Sequence, residues 1–543
     1  MKIKVADYIA NLLSTRGITH VFTVVGGGAM HLNNAFGQHK KLHCIYNHHE
    51  QASAIAAESF AKITNKPAVA CVTTGPGGTN AITGVLCAYQ DNIPLLVISG
   101  QVRYSTTVKS TGLKLRQFGE QEYHIVDSIK PMTKYAVMVK NPLDIKYHLE
   151  RAIFEATTGR KGPCWIDVPL DVQASIIEES DLRSFTPEKK ARYNVKTTKY
   201  ILQSIKQAKS PVLIAGSAIR QAGCFDDFYS LTEKLNIPVL CPTAISDYFH
   251  HGHPLYFGNF GVFGGRAGNF IIQNADLIIS LGARMSFKQT GFNYKLFAPN
   301  AEKIIVDIDG AELKKNTVKI NYPVQADICD VVKSLNEIIT KKLPPKSRWL
   351  KYCNMLKNDF RRLQKQQMIS KAVNPYYFAY RLQKKLSKDA IMILGNSCAC
   401  TSLSQYGISK KGQRLYTNVN CGTMGYDIPA ALGAAIASKK PVICATGDGS
   451  FQMNIQELQT IVHNKLPVKF IIFNNNSYQA IAQTHQNFFN GVLTGCTPDT
   501  GVSFPSFKKI AFAYGMPYKK IKSHDNVDSG IDWLLSTEGF CLC

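Results

Sequence analysis

Short runs of β-branched and other apolar residues, each closed by a glycine-rich turn and followed by a helical pattern, recur along the whole of this 543-residue chain. Examples are AVACVTTGPGGTNAITGVL from Ala68, PVLIAGSAIRQAG from Pro211, DLIISLGAR from Asp276, KIIVDIDGAEL from Lys303 and PVICATGDGSFQMNIQELQTIV from Pro441. Strands apolar on both faces need cover on both sides, and intervening helices supply it, so the pattern predicts an α/β fold of parallel sheets. Single domains hold about 100–200 residues, so one core is too few. Polar, weakly periodic stretches from Glu178 to about Lys199 and from Leu343 to about Lys371 read as linkers that carry some helix. They leave three expected doubly wound domains, at about 1–180, 190–340 and 370–543.

Charge and cysteine usage narrow the function classes. The formal charge of +25 brings nucleic acid, anionic membrane and phosphorylated substrates into view, but the basic residues come in short pairs such as Lys40-Lys41 and Lys410-Lys411. That dispersion reads as a solvated basic surface, which also steers acidic substrates, and argues against a nucleic-acid partner. Fifteen cysteines cannot all pair within one chain, and Cys398/Cys400 and Cys541/Cys543 lack the spacing of a structural zinc site. Reduced, buried thiols are expected. MKIKVADYIANLLSTRG reads as an amphipathic helix without a signal-peptide core, and no apolar run approaches the ~18 residues of a membrane span. These features predict a cytoplasmic enzyme that does not engage a membrane.

The richest chemistry lies between Gly447 and Ser477. The VICAT strand ends in Gly447-Asp448-Gly449-Ser450, where glycines let backbone amides approach a phosphate and a helix offers its N-terminus to it. A second strand, VKFIIF, ends in Asn474-Asn475-Asn476. Parallel strands end at one edge, so Asp448 and Asn475 can converge there. A carboxylate, an amide oxygen and a backbone carbonyl are hard ligands suited to Mg2+ bridging a diphosphate. Gly-Asp-Gly alone is a common turn, and the signal rests on the whole ordered unit of strand, turn, helix, strand and Asn-Asn.

With that unit in view, the chain resembles the thiamine-diphosphate enzymes, and within them the acetolactate synthase large-subunit group. The resemblance extends over VFTVVGGGAM, which holds Gly27, HHEQASAIAAESFAKITNKPAV, TTGPGGTNAITGV, GRKGPCWIDVPLDV and GTMGYDIPAALGAAIA. It implies thiamine diphosphate and Mg2+ as cofactors, with Asp448, Asn475 and the main-chain oxygen of Ser477 as metal ligands. It also implies pyrimidine-binding, middle and diphosphate-binding domains in that order, and a site formed between two chains, hence a homodimer or a dimer of dimers.

Thiazolium C2 must lose a proton, which follows if a carboxylic acid protonates the aminopyrimidine and makes its amine the local base. By resemblance that acid is Glu50, in a pocket that keeps it able to share a proton. Met424 would prop the coenzyme in its bent shape, and the Gly422 carbonyl would accept from the pyrimidine amine. Asn396 and Ser397 stand at the diphosphate-contacting loop, and Gln121 takes a catalytic place in the acceptor loop. The group also carries FAD in its middle domain. Arg160, Gly216, Arg284, Asp309 and Asp327 match features of that site, although related enzymes keep this fold without flavin.

The acceptor side departs from the group. Its Phe-Gln-Glu is Glu120-Gln121-Glu122 here, its carboxylate-clamping arginine is Lys288, a methionine is Val262, and a tryptophan beyond the Asn-Asn loop aligns with Thr484. Lysine lacks the planar fork of arginine. The changes point to pyruvate or a similar 2-keto acid as donor and to a keto sugar or another polar carbonyl compound as acceptor. The sequence ends at GFCLC, where the group would be entering a late strand; a true truncation would favour plain decarboxylation. A non-ligating 2-keto acid decarboxylase and a catalytically silent thiamine-fold binding or regulatory protein are the competing expectations.

Overall fold

The computed structural model describes residues 2–188, 193–360, 365–370 and 372–543. Residues 189–192, 361–364 and 371, which the sequence reading put in linkers, lie outside the described residues. Parallel sheets covered by helices recur through three successive regions of the chain. The first contains β1 (His20–Thr23), β2 (His43–Tyr46), β3 (Ala68–Val72), β4 (Leu95–Gln101), β5 (Tyr135–Met138) and β6 (Pro163–Pro169), ordered β2-β1-β3-β4-β6-β5 and all parallel. Every residue of β3, β4 and β6 is buried, as strands covered on both faces require.

The second region holds β7 (Pro211–Ala215), β8 (Val239–Pro242), β9 (Tyr256–Phe260), β10 (Leu277–Leu281), β11 (Glu302–Asp307) and β12 (Tyr322–Gln325). Their order is β9-β8-β7-β10-β11-β12. The sheet therefore winds outward in both directions from neighbouring β7 and β10, the arrangement that opens a crevice at their carboxyl ends. In the third region, β13 (Ile391–Leu394) pairs in parallel with β14 (Arg414–Tyr416). β15 (Val442–Gly447) pairs with β16 (Val468–Phe473), and β16 with β17 (Cys541–Leu542), again in parallel.

The chain forms two compact units. One comprises Met1–Lys189, Asn418–Tyr518 and Thr537–Leu542; the other comprises Lys190–Thr417, Lys519–Ser536 and Cys543. In the first, α1 (Glu50–Thr64) is buried from Ala52 to Ala61 between α2 (Pro76–Asp91) and α3 (Asp427–Ser438). Small residues permit this. A Cβ on Gly84 would come within 2.5 Å of the Ala54 Cβ, and one on Gly433 within 2.1 Å of the Ala56 carbonyl oxygen. One detail corrects the helical reading of the N-terminus: Lys2–Lys4 is a strand, antiparallel to Ile176–Glu178, and the helix begins at Val5. Lys-Ile-Lys alternates with period two, which suits an edge pairing.

Candidate functional site

β15 and β16 run in register, Gly447 opposite Phe473, so the turns that follow them leave the same edge. Asp448 is buried at the start of a short helix. Its Oδ2 accepts the backbone amides of Asn475 at 3.0 Å and Asn476 at 2.6 Å, and its Oδ1 that of Gly449 at 2.9 Å. Burial pushes this carboxyl above the ordinary aspartate range, against the pull of those amides. The Asn475 Oδ1 accepts from the Ser477 amide and hydroxyl, both at 3.1 Å. Two hard oxygen donors thus share one turn pair.

Among the described residues no group of three or more His, Cys, Asp or Glu could hold a metal. A cation at this edge would instead use a mixed oxygen set, with water or phosphate completing the shell, as Mg2+ prefers. Gly447 adds an opening. Its φ of −92° suits any residue, and a Cβ there would meet nothing within 4 Å. No internal contact demands glycine at 447, so the space it leaves is room for a group from outside.

Gly422-Thr-Met-Gly reaches the same place. Gly422 is exposed with φ +64°, a conformation that favours glycine. The Gly425 amide donates to the Ser450 Oγ at 2.8 Å, and the Asn454 side chain to the Gly425 carbonyl at 2.6 Å. A Cβ on Gly449 would lie 3.1 Å from the Met424 Cε and 2.3 Å from the Tyr478 ring. Gly422, Met424, the Gly447–Ser450 turn, Asn475 and Ser477 are therefore gathered by the fold.

A second cluster surrounds Glu50, the first residue of α1, which is only 9% exposed. The Asn80 Nδ2 donates to the Glu50 Oε2 at 3.0 Å, and a Cβ on Gly77 would sit 3.5 Å from Oε1. Gly75, with φ +59°, lets the Gln121 carbonyl come within 2.1 Å of where its Cβ would be. Glu120 and Gln121 are exposed, whereas Glu122 is buried and accepts the amides of Val108 at 2.6 Å and of Phe118 and Gly119 at 3.1 Å. Glu122 is thus the clasp of the loop that presents Gln121. Gly26 and Gly28 are packed against Thr73 and Thr74, while Gly27 between them faces open space. Thr484, on the helix Gln479–Phe488, is exposed and bonded back to the Ala480 carbonyl.

The remaining sequence candidates, Arg160 excepted, lie in the other unit. The Val262 amide donates to the Lys288 carbonyl at 2.8 Å, so these two are neighbours. Gly216 follows β7 and Arg284 follows β10; a Cβ on Gly216 would strike the Gly282 oxygen at 1.9 Å. Asp309 and Asp327 follow β11 and β12 and cap the helices Gly310–Lys314 and Ile328–Ile338. Asn396 precedes the helix Ser397–Tyr406, where Ser397 holds a φ of +54°. Arg160, in the first unit, donates to the Asn92 side chain at 2.8 Å.

Sequence reasoning missed Asn80, Tyr478, Glu122 as a clasp, and Glu457. Only Glu457 left a usable signal, an acid in the apolar rhythm of IQELQTIV.

The chain also matches known proteins. Sequence models of the thiamine pyrophosphate enzymes match at residues 3–124 (N-terminal TPP binding domain), 198–335 (central domain) and 395–543 (C-terminal TPP binding domain). The probable acetolactate synthase large subunit of Methanocaldococcus jannaschii is 32% identical over 99% of this chain and 91% of its own length. The isozyme 1 large subunit of Escherichia coli is 31% identical over 99% and 92%. Acetolactate synthase 1, chloroplastic, of Nicotiana tabacum is 30% identical over 99% and 80%. The parallel-sheet fold and the similarity along nearly the full length agree, and the chain belongs to the thiamine pyrophosphate enzymes, in the acetolactate synthase large-subunit group.

Proposed function

We propose that this enzyme uses thiamine diphosphate and Mg2+ to decarboxylate a short 2-keto acid, pyruvate foremost, and passes the acyl fragment to a polar carbonyl acceptor such as a keto sugar. The observation that carries the reading is the Asp448 carboxylate gripping the backbone of the Asn475–Asn476 turn beside the open space at Gly447. Asp448, Asn475 and the Ser477 carbonyl would hold Mg2+, and the Gly447–Ser450 turn would receive the diphosphate. Bound thiamine diphosphate supplies the electron sink that decarboxylation of a 2-keto acid requires.

Glu50 would share a proton with the pyrimidine ring of the bound coenzyme, and the Asn80 side chain donates to its Oε2, which holds the carboxyl in one orientation. The Gly422 carbonyl would accept a hydrogen bond from the pyrimidine amine, and Met424 would pack against the coenzyme. Gln121, in the loop that Glu122 clasps, would face the reacting carbonyl. Four replacements support the polar acceptor, Glu120 and Thr484 in one unit and Val262 and Lys288 in the other, which put a carboxylate and a point-like ammonium where the group has an apolar residue and a planar fork.

FAD is proposed for the middle region. Gly216, Arg284, Asp309 and Asp327 all follow carboxyl ends of one sheet, around its switch between β7 and β10. A denaturing extract that releases a flavin spectrum would support it. Val25, Met30 and Tyr46, exposed beside the Gly27 and Glu50 segments, support a second copy covering this face, as a homodimer or a dimer of dimers. Cysteines buried on strands, such as Cys71, Cys164 and Cys444, behave as small apolar side chains and favour a reducing, cytoplasmic setting.

The reading is tested with purified protein, thiamine diphosphate, Mg2+ and pyruvate. Turnover that rises when a keto sugar is added, and vanishes in Asp448→Ala, is expected. Efficient acetolactate formation from pyruvate alone would overturn the polar acceptor, and free aldehyde as sole product would overturn ligation.

A further inference from the structure

Two loops proposed to touch the pyrimidine are each held by a buried carboxylate from a distant part of the same unit. The turn Asn47-His48-His49 leads into Glu50. Glu457, fully buried, accepts the Asn47 Nδ2 at 2.9 Å, the His48 amide at 2.8 Å and the Thr460 hydroxyl at 2.7 Å. The Ser53 hydroxyl donates to the Asn47 Oδ1 at 3.2 Å, so the turn is tied on both sides of Glu50.

The converse holds at the other loop. Asp91, the last residue of α2, accepts the side-chain amides of Asn418 at 3.0 Å and Asn420 at 2.7 Å, just before Gly422. The Asn418 Oδ1 accepts the Gly422 amide at 3.1 Å. Lys62 stands 2.8 Å from both Asp91 and Glu58, and Tyr426, beyond the loop, donates to the Glu58 Oε2 at 2.9 Å. Gly422 is exposed while both of its flanks are anchored in the interior. A loop open to a ligand takes its precision from such flanks, because small misplacements at a reacting centre are costly in rate.

We propose that Glu457 and Asp91 are reciprocal positioning residues. Glu457 holds the turn that aims Glu50 at its proton, and Asp91 holds the Gly422–Met424 loop in its coenzyme-receiving shape. The inference rests on the coenzyme-site reading above.

Asn47→Ala and Asn420→Ala each remove one hydrogen bond to these acids without unburying a charge. Asn47→Ala should lower kcat about tenfold with thiamine diphosphate affinity changed less than about twofold. Asn420→Ala should weaken thiamine diphosphate binding about tenfold with kcat at saturating coenzyme changed less than about twofold. Melting temperatures of the coenzyme-free proteins are measured alongside, and Glu457→Gln should follow Asn47→Ala where it folds. The inference fails if both variants lose the same parameter, if the losses track the melting temperatures, or if neither parameter moves. Asp448→Ala separates the two levels. Wild-type binding that depends on Asp448 alongside indifferent Asn47 and Asn420 variants overturns the positioning roles alone, whereas Asp448→Ala binding as tightly as wild type overturns the coenzyme site and the inference with it.

Discussion

Two glycines of one turn are glycine for different reasons. At 449 a side chain would run into Tyr478 and Met424, whereas at 447 it would meet nothing. Gly447→Ala should therefore leave the coenzyme-free fold within about 0.5 kcal/mol of wild type, because its backbone conformation suits alanine. The same methyl group should intrude on the bound diphosphate and weaken coenzyme binding about tenfold or more, as overpacking does. Calorimetric titration and thermal unfolding of one preparation check both halves. Glu50→Gln keeps the shape of the residue and removes the exchangeable proton. A drop in turnover of about 10²–10⁴-fold with coenzyme binding retained is expected, and unchanged turnover would remove Glu50 from the chemistry.

Among the elements, β6 carries a buried acid outside the coenzyme clusters. The Asp167 Oδ1 accepts the Ser99 hydroxyl at 2.6 Å and its Oδ2 the Gln101 side chain at 3.2 Å, while Gln101 also donates to the Tyr123 carbonyl. Burial pushes this carboxyl from its ordinary 3.8 up to about 7. The folded value exceeds the unfolded one, so the stability tied to the neutral acid is complete below about pH 4 and is lost as pH rises through about 7. The stability of wild type relative to Asp167→Asn should fall across that window, read from urea unfolding at a series of pH values; a flat difference would contradict the assignment. The α1–α3 contact is crowded enough to be sensitive to a single methyl group. Gly433→Ala drives a methyl into the Ala56 carbonyl and should cost about 1–3 kcal/mol.

Elements were the legible part of the sequence. Period-two and period-3.6 patterns are local, and the α/β fold with its parallel sheets follows from them directly. The convergence of Asp448 and Asn475 was legible as well, because one ordered motif carries both, 27 positions apart, and parallel strands return to one edge. Glu457 was not. Its partner Asn47 lies 410 positions away, and an acid amid apolar residues says that it must be paired without saying by what. Asn80 and Tyr478 were hidden likewise, since nothing in their own neighbourhoods distinguishes them from surface residues.

For the whole molecule, coenzyme binding and folding are linked. A ligand present at 100 times its Kd adds about 2.7 kcal/mol to the folded state, so thiamine diphosphate with Mg2+ should raise the unfolding temperature and a chelator should reverse the gain. An unfolding temperature indifferent to both would argue against resident coenzyme. The smooth contact between α1 and α3 has a mechanical corollary. Two helices that meet through alanine and glycine resemble plain shafts without teeth, close enough to resist being pulled apart yet poor at resisting a slide along their length. What stops the slide is a few polar pegs, the Ser59 hydroxyl on the Ala430 carbonyl and Tyr426 on Glu58. Shear along that seam strains those pegs, whereas separation across it would expose the buried Ala52–Ala61 stretch of the helix that begins with Glu50.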